Sequence, residues 1–299
     1  MATEQVTPET ETEATSALDR VISVAQDIRA TPPAFVGLVI FSFVAVITII
    51  GPYIIPYDPT AIHPAHVNEA PNAKFLLGTD PLGRDLLSRV IVGGQTSLAL
   101  GLSAVGLSLA AGVPIGLTSG YYRGRIDEIL MRTMDIMMSI PGLLLGLLIL
   151  TALPPNLLNV IIAIGIVYTP RIARVVRSAT LEESTKEYVE AARAQNEDES
   201  YILFGEIMPN VVGPILVEGS VRIGFAIILG ASLSFLGLGT QPPAADWGYM
   251  INQARRHMTT NPYYLLWPSV ALIVTVFSVN MLGDGLRDVF DTKGQGEEV

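Results

Sequence analysis

The stretch from Ile136 to Pro170, IMMSIPGLLLGLLILTALPPNLLNVIIAIGIVYTP, runs for 35 residues without a charged side chain. About 20 apolar residues cross the hydrocarbon core of a bilayer as one helix, so this run is too long for a single crossing. Pro154-Pro155-Asn156 interrupts it with residues that stop one helix and let another begin. The reading is two spans, about 136 to 153 and 157 to 170. Outward from this stretch, the runs 30 to 57, 90 to 122, 223 to 245 and 257 to 283 are also free of charge and long enough to cross. They predict four more spans, at 34–56, about 95–119, about 221–239 and about 264–283. Backbone polar groups in lipid must be satisfied internally, and the period-2 pattern of a membrane barrel is missing, so the fold class is all-α integral membrane with six transmembrane helices.

Composition agrees, with 50% hydrophobic and 15% charged residues against about 25% charged in ordinary soluble domains. Residues 1–33 form an acidic tail with Glu4, Glu9, Glu11 and Glu13 and no basic start, unlike a cleaved signal peptide. The first span is therefore expected to be an uncleaved anchor. A segment rich in Pro and Gly, 57–94, is expected to cap the outer face. Five helices and a polar loop at about 181–210 make up 95–292, and 293–299 is a short C-terminal tail. Lys and Arg number 12 on the N-terminal side of the predicted topology and five on the other, with Arg222 at a span boundary, which places both termini in the cytoplasm by the positive-inside rule. Gly112, Gly116 and Gly120, four apart, form one helix face for close backbone approach; packing within the subunit and packing between subunits both fit.

The net charge is −10 and the acids crowd the N-terminal tail and the loop from 182 to 206. An acidic surface argues against nucleic acid as a partner. Solvated acidic segments and adaptation to a salt-rich cytoplasm both account for the excess. There is no cysteine, which excludes disulfides and thiolate metal sites. The three lysines, Lys74, Lys186 and Lys293, follow Ala73, Thr185 and Thr292, so no glycine-rich phosphate loop is present and ATP is not hydrolysed by that route on this chain. His63 and His66 are three apart in a Pro-rich loop, a poor setting for a metal. The predicted span centres hold no catalytic pair and no relay of ionisable groups, which argues against an intramembrane protease or an ion-coupled carrier. The exception, Glu218 and Arg222, is spaced for an i, i+4 ion pair and is expected at the inner boundary of the fifth span.

The loop itself is the most organised polar segment. Glu187-Tyr188-Val189-Glu190-Ala191-Ala192-Arg193-Ala194 reads as a short helix, Asn196 as the turn that ends it, and Ile207-Met208-Pro209 as the approach to the next span. These residues, Glu190, Ala191, Ala192, Asn196, Ile207 and Pro209, resemble the EAA loop of ABC importer permeases. Three further motifs follow the order seen in the C-type permeases of the dipeptide and oligopeptide importer family: Gly78-Thr79-Asp80-Pro81-Leu82-Gly83-Arg84-Asp85 with Ser88-Arg89, Gln241-Pro242-Pro243 with Trp247-Gly248, and Gly283-Asp284-Gly285-Leu286-Arg287-Asp288. The likeness runs from about residue 30 to 292. It departs from the family at Asn196 (usually Gly), Met208 (usually Leu), the acidic Glu197-Asp198-Glu199, and Gln95 (commonly Arg).

The resemblance implies a type I ABC importer permease, not an enzyme, with no cofactor on this chain. It implies partners: a second, B-type permease, two ABC ATPase subunits that hold ATP and Mg, an extracytoplasmic binding protein, and membrane lipid. The site would be a prokaryotic cell membrane and the cargo short peptides, with nickel or oligosaccharides as the family's other cargoes. Glu190 would fix the loop, Ala191 and Ala192 would pack against the ATPase, and Asn196 would make the turn. Gly78, Asp80, Gly83, Arg84, Asp85, Trp247, Asp284 and Arg287 carry the family signature. Readings outside this class are an ATPase-independent channel or carrier, and a membrane scaffold.

Overall fold

In the computed structural model, which describes residues 31–296, the described chain is helical apart from turns and one isolated bridge. The elements are α1 (Pro32–Ile50), α2 (Leu86–Tyr122), α3 (Gly124–Ser139), α4 (Gly142–Thr151), α5 (Leu157–Glu183), α6 (Glu187–Ala194), α7 (Met208–Phe235), α8 (Trp247–Ala254) and α9 (Pro262–Gly296). One helical turn, Glu199–Tyr201, and a π-helical run, Ile202–Ile207, lead directly into α7. The acidic tail up to residue 30, and with it half of the question of salt adaptation, lies outside the described residues, as do the last three residues of the expected C-terminal tail.

Five helices are long and apolar enough to cross a membrane, and α3 with α4 forms a sixth element bent by 91°. Packing decides how that pair travels. A Cβ on Gly112 would meet Ile172 and Thr169, and one on Gly120 would meet Arg177 and Thr180, so α2 and α5 run parallel with their backbones in close approach. The glycine face serves packing within this chain. Parallel neighbours require the intervening residues to return across the bundle, so α3 and α4 together make one crossing and the spans number six. By the same reading α7 runs antiparallel to α2, with Gly101 against Ile227 and Gly219 against Leu109. The helix α9 runs antiparallel to both α7 and α1, with Gly283 against Val221 and Gly285 against Ala34. Both ends of the described chain therefore lie at the end that carries α6, called here the loop end; residues 51–85 lie at the opposite, cap end.

The central core joins four elements: Leu100, Ala104 and Val105 of α2, Leu150 of α4, Val160, Ala163 and Ile164 of α5, and Ala226, Leu229 and Leu233 of α7. Asn156 starts α5 by accepting from the Asn159 amide at 2.8 Å, a side-chain cap that satisfies one orphan donor.

Several expectations on boundaries change: the first helix ends at Ile50, short of 56, and the fourth runs past 170 to Glu183. The second span begins at Leu86, well before 95, because Arg89 is folded into the protein and so does not end the helix. The third is not a straight helix over 136–153: Pro141 lacks an amide donor and restricts Ile140 to an extended conformation, and the chain turns there. The fifth begins far before 221, and Glu218 and Arg222 lie inside the continuous α7 instead of at its edge. The sixth continues past 292 to Gly296, the last described residue.

Candidate functional site

Two constellations collect the residues singled out by sequence. At the cap end, Asp80 is fully buried and its carboxylate is shared. One oxygen accepts the amides of Leu82 (2.8 Å) and Arg84 (2.9 Å), and the other accepts Arg84 Nε at 2.6 Å, with Arg89 Nε 3.8 Å away. Arg89, 1% exposed, donates onward to the carbonyls of Pro59 (3.0 Å) and Pro243 (3.4 Å). Asp85 caps α2, taking the Ser88 amide at 2.8 Å and its hydroxyl at 2.6 Å. Gly78 and Gly83 have φ of +84° and +77°, and a Cβ on Gly83 would sit 2.1 Å from the His63 carbonyl oxygen, so these turns need glycine on two counts.

Distant parts of the sequence close this knot. Asn261 Nδ2 donates to the Thr79 carbonyl at 2.7 Å, and the buried Trp247 donates from Nε1 to the Val90 carbonyl at 2.9 Å. A Cβ on Gly248 would meet the Ala231 carbonyl oxygen at 2.3 Å, which packs α8 directly on α7. Asp246, the cap of α8, accepts the Tyr249 amide at 3.0 Å, and burial pushes its carboxyl above the usual range. On the surface of the cap, hydrogen bonding from His66 holds the Glu69 carboxyl below its usual range. His66 is also 3.0 Å from Lys74 Nζ, and His63 sits 3.1 Å from the Gly83 carbonyl. The two histidines thus serve different contacts.

Gly78, Asp80, Gly83, Arg84, Asp85 and Trp247 are brought together; Asp284 and Arg287 are not. Those two sit near the far end of α9 on exposed positions, while Gly283 and Gly285 beside them hold α9 against α7 and α1.

At the loop end, α6 is two-faced. Val189 and Ala192 are buried with Val113 and Leu117 of α2, Ile172 and Val176 of α5, Ile202, Leu203 and Ile207 of the π-helical run, and Val211 of α7. On the other side Glu187, Glu190, Ala191 and Ala194 are exposed, at i, i+3, i+4 and i+7, which makes one continuous face. Ala192 therefore packs inside its own chain, correcting the expectation that it meets a partner; of the two alanines only Ala191 is on the open side. Pro209 is exposed and Ile207 fully buried.

Asn196 ends α6 with φ +56°. Its amide donates to the Arg193 carbonyl at 3.1 Å and the Glu197 amide to the Ala192 carbonyl at 3.2 Å, the two bonds of a Schellman motif with Asn in the position usually held by Gly. Glu197, Asp198 and Glu199 follow on exposed positions.

Sequence reading missed the ties that hold this end. Arg193 lies over the Tyr121 ring at 4.9 Å, Tyr122 Oη donates to Glu199 at 2.8 Å, and Arg123 donates to Ser184 Oγ at 3.0 Å. Arg177 grips Asp127 with two 2.5 Å bonds, and Ser119 donates to the same carboxylate. Tyr188 Oη donates to Glu183 at 2.9 Å, and burial with that carboxylate pushes its pKa up to about 12. The Tyr121-Tyr122-Arg123 cluster directly after the second apolar run was the available signal. No group of three or more His, Asp or Glu fit to hold a metal occurs among the described residues.

The arrangement offers no reacting pair of side chains; it offers a helix whose buried face is fused to three spans and whose open face carries carboxylates and small residues. Comparison with known proteins gives the family. Residues 112–294 match the family described as binding-protein-dependent transport system inner membrane component, and residues 23–71 match the N-terminal TM domain of oligopeptide transport permease C. The chain is 42% identical over 242 residues to the glutathione transport system permease protein GsiD of Pectobacterium atrosepticum, covering 81% of this chain and 80% of that one. It is 38% identical over 263 residues to the di/tripeptide transport system permease protein DppC of Pseudomonas aeruginosa, covering 86% and 87%. Among solved structures, an inward-facing conformation of the MetNI methionine ABC transporter aligns with 67% of this chain and 96% of its own, at a TM-score of 0.56 and 20% identity. The chain belongs to the binding-protein-dependent transport system inner membrane component family, as a multi-pass permease related to the C permeases of peptide ABC importers.

Proposed function

We propose that this chain is one of two permease subunits of an ATP-driven importer of short peptides, that α6 docks on an ABC ATPase through its open face, and that the loop end lies in the cytoplasm of a prokaryotic cell. The observation that carries the reading is the two-faced α6. Its buried side belongs to the same apolar cluster as α2, α5 and α7, so a displacement of α6 moves those spans with it, because a close-packed cluster deforms little. Its open side presents Glu187 and Glu190 followed by Ala191 and Ala194, small enough to enter a groove and charged enough to fix register there.

The relatives named for dipeptide, di/tripeptide and glutathione transport support peptides as cargo. The bias of Lys and Arg toward the loop end supports the orientation. ATP and Mg would then reside on the ATPases, the second half of the pathway on the other permease, and cargo delivery on an external binding protein. The cap knot would be the rigid floor on which that protein lands.

Affinity purification of the tagged chain from its own membranes, with mass-spectrometric identification of what co-purifies, tests this. A second permease and ABC ATPases are expected in the eluate. Recovery of the chain alone, also after mild crosslinking, would contradict it.

A further inference from the structure

Three arginines climb one face of α5, three residues apart. Arg177 is neutralised by Asp127 of α3, and Arg174 by Asp135 of the same helix. Arg171 comes next, and α3 offers no acid beyond Asp135: it breaks at Ile140-Pro141, where the chain turns through 91°. Among the described residues Arg171 has no ion pair and no hydrogen bond. The missing rung is instead a cavity of about 480 Å³, lined by Met137, Pro141, Tyr168, Arg171, Arg222 and Phe225 among others.

The second cation there is already engaged. Arg222 Nε donates to Glu218 at 2.5 Å, and the guanidinium lies 5.3 Å from the Phe225 ring centre. The cavity thus carries one uncompensated positive charge, one neutralised ion pair, and walls of thioether, aromatic and aliphatic groups. Helix rise puts Arg171 and Arg222 each about 20 Å below the cap end, inside a hydrocarbon core about 30 Å thick. An unpaired guanidinium at that depth is too costly to face lipid, and such residues mark ion or substrate paths.

We propose that Arg171 receives a carboxylate of the transported peptide, so that cargo completes the third rung of the arginine ladder during passage. This rests on the peptide-importer reading and names a subsite within it. A single guanidinium fork matches a planar carboxylate in two parallel hydrogen bonds. The volume lies within the range of small-ligand sites, and the apolar walls tolerate varied side chains. Because Arg222 is held by Glu218, the site carries charge for one carboxylate and not for a dianion, which favours a peptide terminus over a phosphate.

The chain has no cysteine, so Met138→Cys, in the lining of the cavity, gives one reactive thiol on it. In the assembled complex, purified in lipid nanodiscs without binding protein, its labelling by an anionic and a cationic methanethiosulfonate is read by the mass of this chain. The anionic reagent is expected to be favoured, and adding Arg171→Gln to lower that preference about tenfold. Saturating Ala-Ala is expected to slow labelling several-fold, Ala-Ala amide to leave it unchanged, and the Arg171→Gln background to abolish the protection. Equal protection by dipeptide and amide, or none by either, overturns the proposal. So does a thiol that neither reagent reaches, which would show Arg171 covered by the other permease. Leu145→Cys, which also lines the cavity and belongs to α4 instead of α3, repeats the test if the first variant fails to assemble. Failure here alongside intact ATP-dependent uptake removes only the subsite; absent uptake and absent ATPases remove the importer reading itself.

Discussion

The two ends of the bundle solve opposite problems. At the cap end, charge is buried: Asp80, Arg89, Asp85 and Trp247 are nearly or fully inaccessible, and hydrogen bonds tie residue 79 to 261 and 90 to 247. At the loop end, α6 itself is anchored by apolar contact and polar ties such as Arg177–Asp127 flank it: Val189 and Ala192 sit in a cluster of aliphatic side chains, while Glu187, Glu190 and the run Glu197-Asp198-Glu199 are exposed. Buried ion pairs demand fixed geometry and punish its loss. An apolar cluster transmits force but leaves its outer surface free to be chosen for a partner. Under the proposed function, the contrast suits the cap to be a fixed platform and the loop a handle.

Breaking the cap should have the largest effect. Asp80→Ala leaves Arg89 as a buried charge without its carboxylate, a loss of about 3–5 kcal/mol; thermal unfolding in detergent should show a large drop or no folded protein. A cap that tolerated this change would not be the rigid half of the comparison. At the handle, Ala192→Leu inserts volume into the cluster and should cost about 1–3 kcal/mol, lowering the unfolding temperature. Ala191→Leu, one residue away on the open face, should leave that temperature unchanged. Equal effects at the two alanines would erase the distinction between the faces. Smallest is Asn196→Gly, which removes the steric cost of φ +56° and should stabilise by at most about 1 kcal/mol. A loss of stability there would mean that the Asn side chain supports the loop end by its own contacts.

How much of this was readable from the chain follows the same divide. Six spans were legible because apolar runs need no knowledge of neighbours; the break at Pro141 was hidden inside such a run, where no charge flags it. Arg89 and the Glu218–Arg222 pair were read as helix boundaries because charge counting treats every ionisable group as solvated, and these are neutralised within the protein. The motif residues of the cap could be picked out but not assembled, since their contacts join segments far apart in sequence. In α6 the period was legible, yet alanine fits either face, and only the positions of Ile202, Leu203 and Ile207 assign Ala192 to the inside.

The central claim is that the open face of α6 couples this chain to an ATPase while its buried face couples it to the spans. The most direct measurement compares Ala191→Trp with the unaltered chain for ATPase co-purification and ATP-dependent peptide uptake, with thermal unfolding as the control. The expected result is unchanged unfolding with loss of both ATPase and uptake. Full retention of ATPase and uptake, with the bulky ring in place, would contradict the account.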